Sequence, residues 1–271
     1  MAYPIPRLSD LRGLWQRSLI AWPDGARDTA TDVRWLQGLE LYIDLRRPAS
    51  PPDFSHARGL ADLSVDDCLW LARQEGFAGH FTFDGTFFEW ARSIDFQPKP
   101  LYSDAGSLWW EDDVLVETGR DIAYIEHWRR DEATATSPTV AVALRDIRLG
   151  IKGALLRVGP LFMFARDRTV VPSAQQTLSQ CVKDAHSLED ARALVDCEIS
   201  FGRVGPAGFQ IATSSLPYRT GDLLGQSRAN STLTTIDRAP NGEPMIRRWE
   251  ITECEGDISA LDAAVLAVAE P

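Results

Sequence analysis

The sequence predicts a mainly β protein with two tandem antiparallel β-barrels, each carrying a short inserted helix, and a C-terminal helix. Three observations favour this fold class. Short apolar segments alternate with polar residues at the two-residue period of a half-buried strand. Turn signals rich in glycine and proline separate those segments. The order of the segments repeats in the two halves of the 271-residue chain. We therefore expect one barrel in residues 1–137 and the other in 138–271, with the terminal helix in the second half.

The first half opens with a short expected helix at 9–14 and a strand at 15–22. The strand ends at Pro23-Asp24-Gly25, where proline fixes φ and glycine accepts a positive φ. Ser64 can cap a helix, and Gly76 is placed to end it. Further strands are expected at 29–35, 41–46, 80–83, 87–90, 114–117 and 123–129.

The second half follows a similar order. Ser173 and Ser187 can each cap a short helix. A terminal helix is expected at 257–269, because Leu261, Val265 and Val268 would lie on one face. Strands are expected at 139–148, 155–166, 198–201, 209–213, 232–236 and 245–252.

The repeated order indicates an internal duplication. Gly38 followed by 41–46 corresponds to Gly159 followed by 161–166. The alternative is a single large sandwich in which strands recur at common spacings. The halves differ, because Phe164 stands where the first half has Asp44, and eight of the nine tryptophans lie in the first half. We expect the second half to be the more apolar one.

Composition excludes several classes of function. The net charge is −11, and residues 1–137 carry 23 acidic against 14 basic side chains. Such a surface opposes binding to nucleic acid or to an anionic membrane, which depends on clustered Lys and Arg. The longest apolar runs are strand-sized, and the start of the chain lacks the features of a signal peptide. These observations favour a cytoplasmic protein.

Motifs for catalysis or metal binding are absent from the sequence. It contains no H-E-x-x-H, G-x-S-x-G or phosphate-binding loop. Its four cysteines form no C-x-x-C and are expected to be small buried hydrophobic residues. We expect no catalytic residue, no metal site and no cofactor.

Several segments of the chain resemble an uncharacterised bacterial protein family. They are Ile20–Gly25, Trp35–Gln37, Leu41–Arg46, Gln74–Gly79, Ile94–Pro98, Glu117–Gly119 and Tyr124–Arg129, with a fainter likeness at Thr213–Pro217. That family has tandem lipocalin-like, calycin-type β-barrels. The pattern is also distantly similar to the fungal HRI proteins, whose paired barrels are reminiscent of lipocalins. The resemblance implies a tandem barrel and no established activity.

Strand alternation predicts one candidate pocket in the first half. Polar and aromatic side chains share one face of 41–46 and one face of 124–129. If those faces point into the barrel, they line a pocket for a small amphipathic ligand. The alternative, which is slightly favoured, turns the apolar faces inward and leaves the charges in solvent. The candidate ligand-binding residues are Tyr42, Asp44, Arg46, Trp90, Tyr124, Glu126 and Trp128.

Three functions remain open at this point. The first is non-enzymatic binding of a small, partly apolar molecule in the first barrel. The second is a lipocalin-like enzyme that uses Asp44, Arg46, Tyr124 and Glu126 for acid-base chemistry and orientation. The third is a structural or protein-interaction module whose acidic first half meets a basic partner. The absence of a catalytic motif favours the first.

Overall fold

A computed structural model describes residues 3–262 and contains two antiparallel sheets. The strands of the first sheet lie between residues 13 and 130 and have short connections, except for the long segment between the fourth and fifth strands. They are β1 (Gly13–Ala21), β2 (Arg27–Asp28), β3 (Asp32–Gln37), β4 (Leu41–Arg47), β5 (Glu75–Phe83), β6 (Phe88–Asp95), β7 (Ala105–Glu111), β8 (Val114–Gly119) and β9 (Ile125–Arg130).

The first sheet closes into a barrel. Its strands follow the order β2-β1-β3-β4-β5-β6-β7-β8-β9, and β9 also pairs with β1. Eight strands, β1 and β3 to β9, therefore form the closed ring, and the two-residue β2 extends from β1. Such a ring has an interior just wide enough to be filled by side chains or to hold one small ligand.

The second sheet is a half-barrel. Its strands follow the order β14-β13-β12-β11-β10-β17-β16-β15. They are β10 (Thr139–Asp146), β11 (Lys152–Val158), β12 (Leu161–Arg166), β13 (Glu198–Gly205), β14 (Gly208–Ser214), β15 (Ser227–Ala229), β16 (Thr232–Arg238) and β17 (Pro244–Gly256).

No ladder joins the two ends of the second sheet in the described part of the chain. The irregular segment 221–224 lies between them instead. The Leu224 N–H donates to the Phe209 carbonyl of β14, and the Leu224 carbonyl accepts from the Ile236 N–H of β16. Positive φ values at Gly221 and Gly225 take this segment out of regular strand geometry. The chain therefore has one closed barrel and one half-barrel sheet, not the two closed barrels that the sequence predicted.

Three short helices are inserted between strands: α1 (Val65–Leu71), α2 (Leu178–Lys183) and α3 (Leu188–Val195). Ser64 and Ser187 cap α1 and α3 as predicted, whereas Thr177, not Ser173, caps α2. The expected end of α1 at Gly76 is wrong, because Gly76 already pairs with Leu45 in the sheet. The second half thus has two inserted helices.

The predicted C-terminal helix falls mostly on residues 263–271, which lie outside the described residues. The described part of that segment is one 3-10 turn, Ile258–Leu261, capped by Asp257. Similar turns lie at Leu8–Leu11, Leu60–Asp62, Glu132–Thr134 and Pro217–Arg219. No helix in residues 3–262 has the length and apolar character needed to cross a membrane.

A large apolar core lies between the two sheets. Leu41, Ile43 and Leu45 of β4 point out of the barrel into this core. They meet second-sheet side chains such as Leu156 and Met163, together with residues from all three helices. The two halves therefore share a core, and the outer face of β4 is as buried as its inner face.

Besides the two-residue β2, two strands were missed by the sequence pattern. β7 was not recognised because its glycine and tryptophans hide the two-residue period. Asp112, with a φ of 54°, occupies the turn that joins it to β8. β15 has only three residues and carries no periodic signal.

Replacement of Arg168 by methionine should destabilise the protein. Arg168 is 4% exposed, and it donates to the carbonyls of Asp95, Phe96 and Leu194. The variant leaves these buried acceptors without a donor, so we expect the free energy of unfolding to fall by about 3 kcal/mol. Denaturant titration measures the loss. The control is Arg203→Met at an exposed position, and an equal effect of both changes would contradict the assigned role.

Candidate functional site

One end of the barrel interior is filled by aromatic side chains. The Trp35 ring centroid lies 5.7 Å from that of Trp15, 5.4 Å from Phe81, 5.5 Å from Trp90 and 5.6 Å from Trp128. Edge-to-face and offset packing of this kind stabilises a dry core. Of the candidate residues, Trp90 and Trp128 belong to this aromatic end.

The other end of the interior is polar and contains the predicted face of β4. Tyr42 and Asp44 are 0% and 2% exposed, and Glu126 is 2% exposed. Arg46 Nε lies 2.9 Å from Asp44 Oδ1, and Arg46 Nη1 lies 3.8 Å from Glu126 Oε1. Arg17 adds a second guanidinium, 2.6 Å from Glu126. The slightly favoured alternative, with these charges in solvent, is therefore wrong: the structure brings Tyr42, Asp44, Arg46 and Glu126 together inside the barrel.

Glu117 is a buried carboxyl in this polar end that the sequence reasoning missed. The Tyr124 hydroxyl donates to its Oε1 at 2.7 Å, and the Trp128 indole N–H donates to its Oε2 at 3.0 Å. Both donors are neutral, and burial together with the nearby Glu126 and Asp104 carboxyls raises the pKa of Glu117 well above its usual value. The sequence did contain a signal for its burial. Glu117 lies two residues after the apolar Leu115, so both side chains point to the same side of β8.

Burial also raises the pKa of Asp44, to about 6, against the opposing effect of its ion pair with Arg46. The pKa of Glu126 is raised by burial as well, although Arg46 and Arg17 counteract it. These carboxyls therefore lie in a site where the charged form is poorly solvated.

A β-bulge brings a second charged group to the interior. The pairing of β5 with β6 shifts by one residue between Ala78 and Gly79, where a side chain on Gly79 would overlap the Ala91 carbonyl oxygen. The shift puts Arg92 and Asp95 on the same face, 2.9 Å apart. Arg92 also pairs with Asp104 at 2.5 Å. No sequence motif marks this bulge, so the group was not predicted.

The barrel wall opens beside Arg92. β6 and β7 pair at only two positions, Phe88 with Gly106 and Glu89 with Ala105. Beyond them the strands separate and leave a cleft of about 710 Å³. Its walls are β6, the segment 97–104 of the first half and the segment 167–174 of the second half.

The rim of the cleft is mainly apolar, although the exposed Lys99 is part of the lining, and the floor is charged. Leu101, Tyr102 and Val171 on the rim are 87%, 51% and 94% exposed. Arg92 and Asp104 lie at the floor, next to the barrel interior. Of the predicted candidates, Trp90 lines this cleft, whereas Tyr42 lies further inside.

The second half also contains buried charges, although the sequence led us to expect it to be the more apolar of the two. Arg166 contacts Asp196 at 2.7 Å and Asp237 at 3.3 Å, and Arg247 contacts Asp237 at 2.7 Å. Arg219 lies 3.1 Å from Glu198. The neighbouring guanidiniums lower the pKa of Asp237. Here every carboxylate has a cationic partner, as expected for an ion-pair network that stabilises the fold.

The cysteines and the possible metal-ligating side chains form no further candidate site in the described residues. Cys68, Cys181 and Cys197 are buried as expected, whereas Cys254 is exposed. Within residues 3–262, no three His, Cys, Asp or Glu side chains converge where they could hold a metal ion.

The effect of Asp44→Asn on stability should depend on pH. The folded-state pKa of Asp44 is about 6, above the ordinary 3.8, so its contribution to stability is present at low pH and lost as pH rises through 6. Between about pH 4 and 7, the wild type should lose about 2 kcal/mol relative to the variant. Denaturant titrations across this range measure the difference. Asp112→Asn at an exposed turn is the control, and a flat difference for Asp44→Asn would contradict the prediction.

No protein-family model matches the chain, and no curated protein matches its sequence. The crystal structure of YLR301w, an uncharacterised protein of Saccharomyces cerevisiae, is similar with a TM-score of 0.55 and 14% sequence identity. The match covers 90% of this chain and 98% of the yeast chain. Membership in a bacterial family stays a prediction. At this identity the likeness shows the fold alone, and it confirms the expected distant similarity to a fungal protein.

Proposed function

We propose that the protein binds a small, partly apolar molecule, without chemical turnover, in the cleft beside the first barrel. The separation of β6 from β7 after two residue pairs carries this proposal. It interrupts an otherwise closed barrel and leaves a concave site of about 710 Å³. Ligand sites in proteins typically have volumes of roughly 300–1,000 Å³.

The apolar side chains at the rim support binding of a ligand with an apolar part. Single exposed hydrophobic side chains are ordinary on a protein surface, whereas several around one concavity are typical of a binding site. Leu101 and Tyr102 come from one wall of the cleft and Val171 from the other. A ligand between the walls would remove apolar surface of both halves from water.

The charged floor supports a polar end on the same ligand. Arg92 is held by Asp95 and Asp104, so its guanidinium is fixed in place before any ligand arrives. Polar groups that are oriented in advance provide specificity at a low entropic cost. The amphipathic ligand inferred from the sequence therefore fits this cleft, at the mouth of the barrel that holds the candidate residues.

The electrostatics of the two halves favour the first as the functional one. In the second half, cationic partners lower the pKa of the central Asp237. In the first half, burial raises the pKa of Asp44, Glu117 and Glu126. Perturbed acids of this kind are concentrated at functional sites, whereas balanced ion pairs serve stability.

A second candidate is an enzyme of lipocalin-like type, and one observation favours it. Asp44 has a pKa of about 6 and lies in the barrel beside Arg46, which suits a general acid or base near neutral pH. Prolonged incubation of bound ligands, followed by mass spectrometry, tests it. Products that form with the wild type but not with Asp44→Asn would favour the enzyme. Ligands that stay intact would support the binding function only.

Replacement of Leu101 or of Val171 by serine should weaken ligand binding. A thermal-shift screen with lipids, aromatic acids and tetrapyrroles first identifies a stabilising compound. Each substitution removes apolar contact with that compound, so we expect Kd to rise about tenfold in isothermal titration calorimetry. Because both side chains are exposed, unfolding of the free protein should change little.

The matched control is Ile246→Ser on β17. Ile246 is 68% exposed and is not part of the cleft lining, so its replacement should leave Kd unchanged. If no compound class stabilises the protein, or if all three serine variants bind equally well, the cleft is not the binding site.

A further inference from the structure

We infer that the polar end of the ligand is a neutral oxygen acceptor, such as a carbonyl or hydroxyl oxygen, and that the Tyr42 hydroxyl and Arg92 Nε–H bind it. This inference rests on the proposed function and specifies the head group that the cleft accepts. Two buried donors without partners carry it, together with the charge balance around them.

The Tyr42 hydroxyl is the first of these donors. The side chain is 0% exposed, and its oxygen has no hydrogen-bond partner within the described residues. A buried hydroxyl without a partner is costly, because it has lost its bonds to water. The remainder of the ring is packed, with its centroid 6.0 Å from that of Phe77.

Arg92 supplies the second donor. Asp95 and Asp104 occupy its Nη1 and Nη2, whereas the buried Nε–H has no acceptor in the described part of the chain. The Arg92 guanidinium carbon lies 3.6 Å from the Phe77 ring centroid. The Tyr42 and Arg92 side chains therefore both pack on Phe77, and Arg92 also lines the cleft. Tyr42 does not line the cleft, so the head group would reach its hydroxyl past Arg92.

The identity of these atoms restricts the ligand chemistry. The Nε–H of a guanidinium donates and cannot accept. An ammonium head group would therefore leave this donor unsatisfied and place two cations side by side. An oxygen with two lone pairs can accept from both Arg92 and Tyr42.

The charge balance disfavours an anionic head group at these two donors. The positive charge of Arg92 is already matched by two carboxylates, Asp95 and Asp104, and Asp44 on the strand of Tyr42 is paired with Arg46. The other cations of the cleft lining are Lys99, which is exposed, and Arg168, which donates to backbone carbonyls. A carboxylate or phosphate would therefore meet a surplus of negative charge beside Arg92, which is unfavourable in a partly buried environment. A neutral acceptor satisfies the donors at no such cost.

Four probes with the same eight-carbon chain test the inference: 2-octanone, 1-octanol, octanoate and octylamine. Their dissociation constants are measured at neutral pH by isothermal titration calorimetry on the full chain. We expect the ketone and the alcohol to bind about tenfold more tightly than the two charged probes.

Tyr42→Phe gives the decisive variant. It removes a hydroxyl that has no partner in the free protein, so the free energy of unfolding should stay the same or rise. Binding of 2-octanone should weaken about five- to tenfold, because one hydrogen bond is lost. Arg92→Lys keeps the charge and removes Nε–H, and it should weaken the same probe. Tyr218→Phe, a tyrosine change in the second half, should leave binding unchanged.

The outcomes separate this inference from the proposed function. Equal affinity for all four probes, with weaker binding in Leu101→Ser, supports the cleft and overturns the neutral acceptor. Tighter binding of octanoate or octylamine also overturns it, as does undiminished ketone binding by Tyr42→Phe. If none of the four probes binds, the inference falls, and the broader ligand screen decides whether the proposed function falls with it.

Discussion

Strand β4 is buried on both faces, and this constraint organises the molecule. Successive side chains of a strand point to opposite sides. Leu41, Ile43 and Leu45 therefore enter the core shared with the second half, while Tyr42, Asp44 and Arg46 enter the barrel. The apolar row stabilises the contact of the two sheets, so it fixes the register that keeps the polar row inside. A shift by one residue would exchange the two rows and bury charges between the sheets.

The two halves manage buried charge differently. In the half-barrel, Arg166, Arg219 and Arg247 each lie within ion-pair distance of a carboxylate. In the barrel, Glu117 meets only neutral donors, and burial raises its pKa. The first arrangement is typical of a rigid scaffold, and the second holds acids in a poorly solvated state at a cost to stability. A chain of two packed halves can tolerate such a cost in one half while the other is held by balanced ion pairs.

The grouping of Tyr42, Asp44 and Arg46 on one face of β4 could be predicted from sequence, because two-residue alternation survives in a regular strand. The side to which that face turns could not, because both faces of the strand are buried. The position of Glu126 opposite this row followed from the same rule. Arg92 and Asp95 could not be placed, since the bulge at Gly79 reverses parity within β6. The cleft was also beyond prediction, because it depends on the point at which β6 leaves β7 and on a segment contributed by the other half. The prediction that the second sheet closes was wrong because the irregular segment 221–224 lies where a strand ladder was expected. No sequence motif marks that segment.

The position of Arg168 has a consequence for how the cleft is assembled. It is a residue of the second half that binds the backbone at Asp95 and Phe96 in the first, immediately before the segment that forms one cleft wall. The other wall, 167–174, begins beside Arg168 itself. The cleft thus belongs to neither half alone. Each half contributes one wall, so the covalent link at 131–138 that joins the halves is part of the architecture of the site.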